Sequence, residues 1–286
     1  MGCHYIPQKY LRGFTGPSRP DALWQFDKKM QRYSTEPVSI SKIAQRRSFY
    51  DLQTEQSLND QVERPGNRVL DKLRSGNLLL RDEERRHLSA YIATMLKRVP
   101  YHRAKAEALA PGVLKNIASE LREQIGEYAD AGKLSGETAA IRLAEVDAAE
   151  AKYAAQMPDE VRDQINSPWP TGEMIDLVYR MSWRFIIADG YQYFVVTDNP
   201  AFFFECYGLG TKNSELTFPI SSSLALFGCW TPVGHSNTIR SGTQFVKETN
   251  RRLISAAFRF VYSKEKTDWI CKVASKAQPH LSRIVW

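Results

Sequence analysis

The sequence predicts an α+β protein, with strand-forming segments at both ends of the chain and amphipathic helices between them. Three observations carry this. From Asp82 to about residue 165 the apolar residues recur at helical spacing, as in Leu88, Tyr91, Ile92, Met95 and Leu96. On either side they come in short runs bounded by Gly, Pro and Asp, such as residues 23–27, 192–196 and 216–220. With 286 residues, 43% of them hydrophobic, the chain can pack a large core. We therefore expect a single α+β domain over residues 1–286, with a helical insertion or subdomain over 100–165.

The elements follow in order. In His4-Tyr5-Ile6-Pro7-Gln8-Lys9-Tyr10-Leu11-Arg12-Gly13-Phe14, proline suits the first turn of a short helix. Tyr10, Leu11 and Phe14 then share one face, with Gln8 and Arg12 on another and His4 at the entrance. Residues 23–27 and 32–34 read as a hairpin turning at 28–30. Residues 38–40 and 49–52 are short apolar pieces, and 40–47 fits a helical turn. Pro65-Gly66 reads as a break before a helix carrying Val69, Leu70 and Leu73. Asp82 opens the next helix and Pro100 closes it. Leu114, Ile117, Ala118, Leu121, Ile125 and Tyr128 make a second stripe ending near Gly132, and Ser135 caps a third helix reaching Ala155. Thr171 opens a helix with Ile175, Val178 and Met181. Residues 184–187 and 192–196 flank Asp189-Gly190, a strong hairpin signal. Residues 202–204, 216–220 and 224–227 are strands, 244–258 a helix, 259–262 a strand and 267–275 a last helix.

Composition narrows the function classes. No apolar run approaches the roughly 20 residues of a membrane span, and no apolar segment of a secretory signal follows the N-terminus. The four cysteines have neither zinc-site nor disulfide-framework spacing, so the expected compartment is the cytoplasm. The formal charge is +7, and it is unevenly spread. Residues 1–80 hold 13 Lys/Arg against 8 Asp/Glu, 81–170 hold 13 against 15, and 171–286 hold 13 against 9. If the two ends fold together they form a basic surface suited to a polyanion. Ordinary solubility charge is the competing reading.

Two clusters are candidate sites. His4 can serve as general base, Gln8 can orient a substrate and Arg12 can clamp an anion. The alternative is that the aromatics of this segment are core and its polar residues tie down backbone. In Thr197-Asp198-Asn199-Pro200, Asp198 can ligate magnesium or manganese or accept a proton, with Asn199 beside it on substrate. The alternative is that both Asx side chains cap backbone where a strand stops. Arg81-Asp82-x-x-x-x-His87 resembles the Arg-polar-His signature of HEPN ribonucleases, but reads first as the solvated start of a helix. His102, His235 and His280 have no metal-site spacing. No Walker loop, dinucleotide fingerprint or nucleophile elbow is present, so no nucleotide cofactor is expected.

The opening segment, Leu23-Trp24-x-Phe26-Asp27, Phe49-Tyr50, Arg98-x-Pro100, Thr197-Asp198-Asn199-Pro200, Phe218-Pro219-Ile220-Ser221 and Tyr262-Ser263 resemble, in order and wording, a widespread bacterial family catalogued as domain of unknown function 4238. The resemblance runs over nearly the whole chain except residues 105–165. It implies that His4, Gln8, Arg12, Asp198, Asn199 and Pro200 stand at signature positions, and it implies no activity. Two functions follow as expectations. One is a metal-dependent nuclease of toxin or phage-defence type, with Asp198 holding the metal, His4 activating water and Arg12 stabilising phosphate charge. The other is a non-catalytic module binding nucleic acid or protein. Nucleic acid, a protein partner or a second copy are the expected partners, and no membrane.

Overall fold

The structure, a computed structural model, describes residues 2–47, 51–189, 191–232, 238–241 and 243–276. Strand β1 (Gly2–His4) leads through Pro7, at φ −58°, into α1 (Gln8–Leu11) and a 3₁₀ turn over Arg12–Phe14. The hairpin expected at 28–30 forms from β2 (Ala22–Asp27) and β3 (Arg32–Tyr33), and β4 (Val38–Ser39) also pairs with β2. Residues 45–47 are not helical. They form β5 (Gln45–Arg47), antiparallel to β1, because the opening segment needs a backbone partner. Phe49 and Tyr50 lie outside the described residues.

Helix α2 (Leu52–Leu58) passes through a π-helical turn (Asn59–Glu63) into α3 (Arg64–Arg74). Pro65 therefore does not break the chain; in the first turn of α3 its missing N–H costs nothing. Gly76, at φ +89°, follows the end of α3 in the left-handed conformation that glycine adopts freely. Next come α4 (Asp82–Lys97), which ends just before Pro100 as expected, and α5 (Pro100–Asp130), which Pro100 also opens. Ser135 caps α6 (Gly136–Ala155), its Oγ accepting from Thr138 N–H at 3.1 Å. The short α7 (Asp159–Asn166), with no buried residue, carries only the pair Val161 and Ile165 as an apolar signal in the sequence. Thr171 caps α8 (Gly172–Arg180).

The remaining elements are β6 (Ser182–Ala188), β7 (Val196–Thr197), β8 (Phe202–Phe203), β9 (Glu215–Pro219), β10 (Leu224–Cys229), β11 (Thr238–Ser241), α9 (Thr243–Ala256), β12 (Phe260–Ser263) and α10 (Asp268–Ala274). One sheet runs β11-β6-β10-β9-β8, antiparallel except for the parallel β11–β6 pair. The other runs β3-β2-β12-β7 and is antiparallel throughout. The chain thus joins its N- and C-terminal strands in one sheet, an α+β fold with a helical middle.

The hairpin expected at Asp189-Gly190 does not form. β6 pairs with β10 and β11, β7 pairs with β12, and Gly190 itself lies outside the described residues. The segment between them has other partners. Phe194 N–H donates to Ser222 O at 2.8 Å, and Asn250 brackets the next residues, accepting from Val195 N–H at 3.0 Å and donating to Tyr193 O at 2.8 Å. Its alternating side chains enter two cores. Tyr193 and Val195 pack with Phe26, Ile254, Val261 and Ile270, while Phe194 packs with Ile186, Phe227 and Val246. A crossing between sheets has the same period of two as a strand, so the sequence signal was ambiguous.

Two compact units divide the chain, one of residues 1–101 with 168–286 and one of residues 102–167. The main core of the first gathers Tyr10, Leu11 and Phe14, the apolar faces of α3 and α4, and Phe218 and Leu226 of the first sheet. The second holds most of α5 together with α6 and α7. Arg122 of α5 pairs there with Asp147 (2.6 Å) and Glu150 of α6.

Candidate functional site

The opening segment is built into the core. Tyr10 is fully buried, its hydroxyl donating to Pro219 O at 2.6 Å and its ring stacked on Phe218 at 5.2 Å. Arg74 of α3 locks this contact, donating to Ile220 O through Nε (3.0 Å) and a terminal nitrogen (2.8 Å), and to Tyr10 O at 2.9 Å. Gly13 lies so close that an added Cβ would stand 2.4 Å from the Arg74 guanidinium.

His4 and Gln8 do meet. Ile43 O can only accept, so His4 Nδ1 carries the proton in their 3.1 Å contact; Gln8 Nε2 can only donate, so His4 Nε2 accepts at 3.0 Å. Both ring nitrogens are thereby committed, and burial holds the imidazole below its usual range, in the neutral form these bonds require. Beneath it the buried Arg98 donates to His4 O and to Glu63 at 2.6 Å, a carboxylate presented by the π-helical turn. Arg12 does not join them. It is exposed and pairs with Asp21 at 3.4 Å.

The Thr197–Pro200 segment works as a clamp. Asp198 is 1% exposed and accepts three backbone N–H groups, from Phe258 at 2.8 Å, Arg259 at 2.7 Å and Phe260 at 2.8 Å. Asn199 donates to Ala256 O at 3.0 Å, and Lys28 donates to Ile254 O, Ser255 O and Ala257 O at 2.7, 3.2 and 2.8 Å. Together they satisfy the carbonyls and amides left open where α9 ends and β12 begins. Burial pushes the Asp198 carboxyl up to about 6, against the pull of its backbone donors and the Lys28 charge. Three of its roughly four lone-pair positions are taken, and an ammonium stands nearby, so the donor set does not fit a divalent cation. No cluster of three or more His, Cys, Asp or Glu among the described residues is placed to hold a metal. His4 and Asp198 share no hydrogen bond; Tyr5, next to His4 in the chain, is bonded to the Tyr262 phenol and raised by burial and by the Asp198 charge.

Other charged residues are structural too. Glu84 accepts from the Arg81 N–H at 2.7 Å at the start of α4, and Arg85 donates to Tyr179 O (2.9 Å) and Met181 O (2.5 Å) while stacking on Trp183 at 4.1 Å. The nuclease-like spacing Arg81…His87 is thus a capped helix start, and Arg85 lines a cleft of about 380 Å³ with two of its five donors bound to carbonyls. Arg252 is wholly buried, bonded to the equally buried Glu215 at 2.6 Å and to Thr217 at 3.1 Å, with Phe204 at 4.9 Å beneath it. His235 and His280 lie outside the described residues.

A cleft that sequence reasoning missed opens between α9, α10 and the crossing segment. It encloses about 420 Å³ and is lined by Tyr191, Tyr193, Trp269, Val246 and Val273, with Lys247, Arg251, Gln192 and Asn250 supplying the polar groups. Asn250 fixes one wall by its bonds to Tyr193 and Val195. Tyr193 meets Trp269 edge to face at 6.1 Å, and Tyr191 is fully exposed. The volume and the mixture of aromatic floor and few polar groups suit a small planar ligand. Lys247 and Arg251 add positive charge for an anion, the latter braced by Glu248 at 2.7 Å. Among the described residues the lining holds no carboxylate, histidine or cysteine. Its members come from three separate segments, and none stands in a motif.

A family model described as "Protein of unknown function (DUF4238)" matches residues 4–267. No curated protein and no solved structure matches the chain. The chain belongs to the DUF4238 family.

Proposed function

We propose that the protein is a non-catalytic module that binds nucleic acid through the cleft between α9 and α10. The cleft carries the reading. The exposed ring of Tyr191 and the partly exposed ring of Trp269 offer faces on which bases stack, and Lys247 and Arg251 offer charge to phosphates. Charge distribution supports it. Of 39 Lys/Arg and 32 Asp/Glu, residues 102–167 hold 8 and 12, leaving 31 and 20 for the unit that contains the cleft. That excess raises the local concentration of a polyanion. The nuclease reading loses its support because His4 has both ring nitrogens engaged and Asp198 serves backbone amides.

The test is anisotropy of labelled single- and double-stranded DNA and RNA oligonucleotides, in magnesium, manganese or EDTA. Wild type should bind without cutting, with affinity falling as salt rises. Trp269→Ala and Lys247→Glu should each weaken binding about tenfold or more, as expected for a lost stacking platform or a reversed phosphate contact. Binding that ignores both variants would remove the cleft from the function. Cleavage abolished by His4→Ala would restore the enzyme reading.

A further inference from the structure

The helical unit of residues 102–167 has its apolar side chains misplaced for a self-sufficient hairpin. Its buried hydrophobic residues are Ala110, Ala118 and Ala139, whereas Leu109, Val113, Ile117 and Leu121 of α5 are 55, 54, 46 and 43% exposed. At 3.6 residues per turn these four fall within an arc of about 120° and make one continuous strip. The strip runs past Pro111 and Gly112, the two weakest helix formers, inside a 31-residue helix. A thin core of three alanines with half-buried Leu114, Ile125, Leu143 and Val146 does little to hold such a helix straight, and packing on the strip would.

We infer that the strip is a homodimer interface, with α5 packed antiparallel on α5 of a second copy about a twofold axis between Val113 and Ile117. In that register Leu109 meets the partner's Leu121 and Val113 meets the partner's Ile117, so one twofold operation covers every apolar residue of the strip. Charge argues for the same occupant. Arg103, Lys105 and Lys115 against Glu107 leave the N-terminal half of α5 net positive, and Glu120, Glu123, Glu127 and Asp130 against Arg122 leave its C-terminal half net negative. Antiparallel pairing brings Arg103 beside the partner's Glu127, and it opposes the two helix dipoles. The same register sets Glu107 opposite the partner's Glu123, one like-charge pair, whereas parallel pairing would set all four C-terminal acids against their own copies. The net change of sign along α5 is what a self-complementary surface requires, and each copy's α6 would then complete a four-helix arrangement.

Sedimentation of the full chain from about 1 to about 100 µM tests this. Wild type should move with concentration from 32.7 kDa towards twice that mass. Ile117→Lys/Leu121→Lys should remain at the monomer mass with its helical circular dichroism unchanged, since both side chains are exposed in one chain. Glu127→Arg should weaken dimerisation about tenfold, and adding Arg103→Glu should restore it; this pair decides the matter if the double lysine variant loses helix. A wild type that stays monomeric throughout, or a dimer indifferent to these changes, would overturn the inference.

Discussion

Replacing Asp198 by alanine strands three backbone N–H groups, those of Phe258, Arg259 and Phe260, whose present bonds are 2.7–2.8 Å long. A partly buried amide without an acceptor costs about 1–1.5 kcal/mol, the low end of the usual penalty, so the loss of three should be about 3–5 kcal/mol. For a chain of 286 residues the unfolding entropy is about 0.6 kcal/mol per degree, which converts this to about 5–8 °C in melting temperature. Calorimetry on wild type, Asp198→Ala and Asp198→Asn measures it. The amide variant retains one acceptor but aims its NH₂ at a donor, so it should not recover the loss. The pH dependence is a second reading of the same group. Because burial lifts the folded carboxyl to about 6, well above its unfolded value of about 3.9, the native state holds the extra proton between those values. Stability contributed by this group therefore rises as pH falls through 6 and levels off near 4. The gap between wild type and Asp198→Ala should widen by about 2 kcal/mol from pH 7.5 to pH 4.5. A transition within about 1 °C of wild type, accompanied by loss of nucleic-acid binding or cleavage, would refute the clamp and return Asp198 to chemistry.

Two further substitutions test the frame around the site. Gly13→Ala should destabilise by about 1–3 kcal/mol, because its Cβ would stand 2.4 Å from the guanidinium that ties Tyr10 to Ile220; a chemical-denaturation midpoint equal to wild type would disprove that close approach. Arg252→Met should cost about 3–5 kcal/mol by leaving Glu215 buried without its cation, whereas Arg252→Met/Glu215→Leu should recover most of that loss. If the double variant is no better than the single, the pair is held by more than its own electrostatics.

The fold was largely legible because its strongest signals are local. The helical stripe of α4, the Ser135 and Thr171 caps and the short strands at 216–219 and 224–229 each follow from spacing and capping chemistry that a linear sequence displays. Errors arose where pairing is non-local. Residues 192–195 have strand-like alternation but cross between sheets, held by Ser222 and Asn250. Residues 45–47 look like part of a turn until β1 is beside them. Pro65 looks like a break because proline marks helix starts as well as helix ends, and only the packing shows that α2 runs through the π-helical turn into α3. The candidate site was legible only in part. The meeting of His4 and Gln8 follows from their spacing, whereas the distance of Arg12 from that pair depends on the 3₁₀ turn that carries it out to Asp21.

The motifs that mark the family are the ones the fold uses to join distant parts of the chain. The opening segment reaches Pro219 through Tyr10, and Arg74 binds both of them; Asp198 and Asn199 close the junction of α9 and β12. These positions demand particular residues because Tyr10 and Asn199 each meet one backbone carbonyl and Arg74 and Asp198 several backbone groups, all buried or partly buried. A ligand cleft makes a weaker demand. Any aromatic ring can stack on a base, and either lysine or arginine can meet a phosphate. A binding site of this kind therefore leaves no fixed word in the sequence, while the scaffold around it leaves several. Tyr191, Lys247, Arg251 and Trp269 are accordingly where variants should separate function from folding, and the residues of the signature motifs are where they should not.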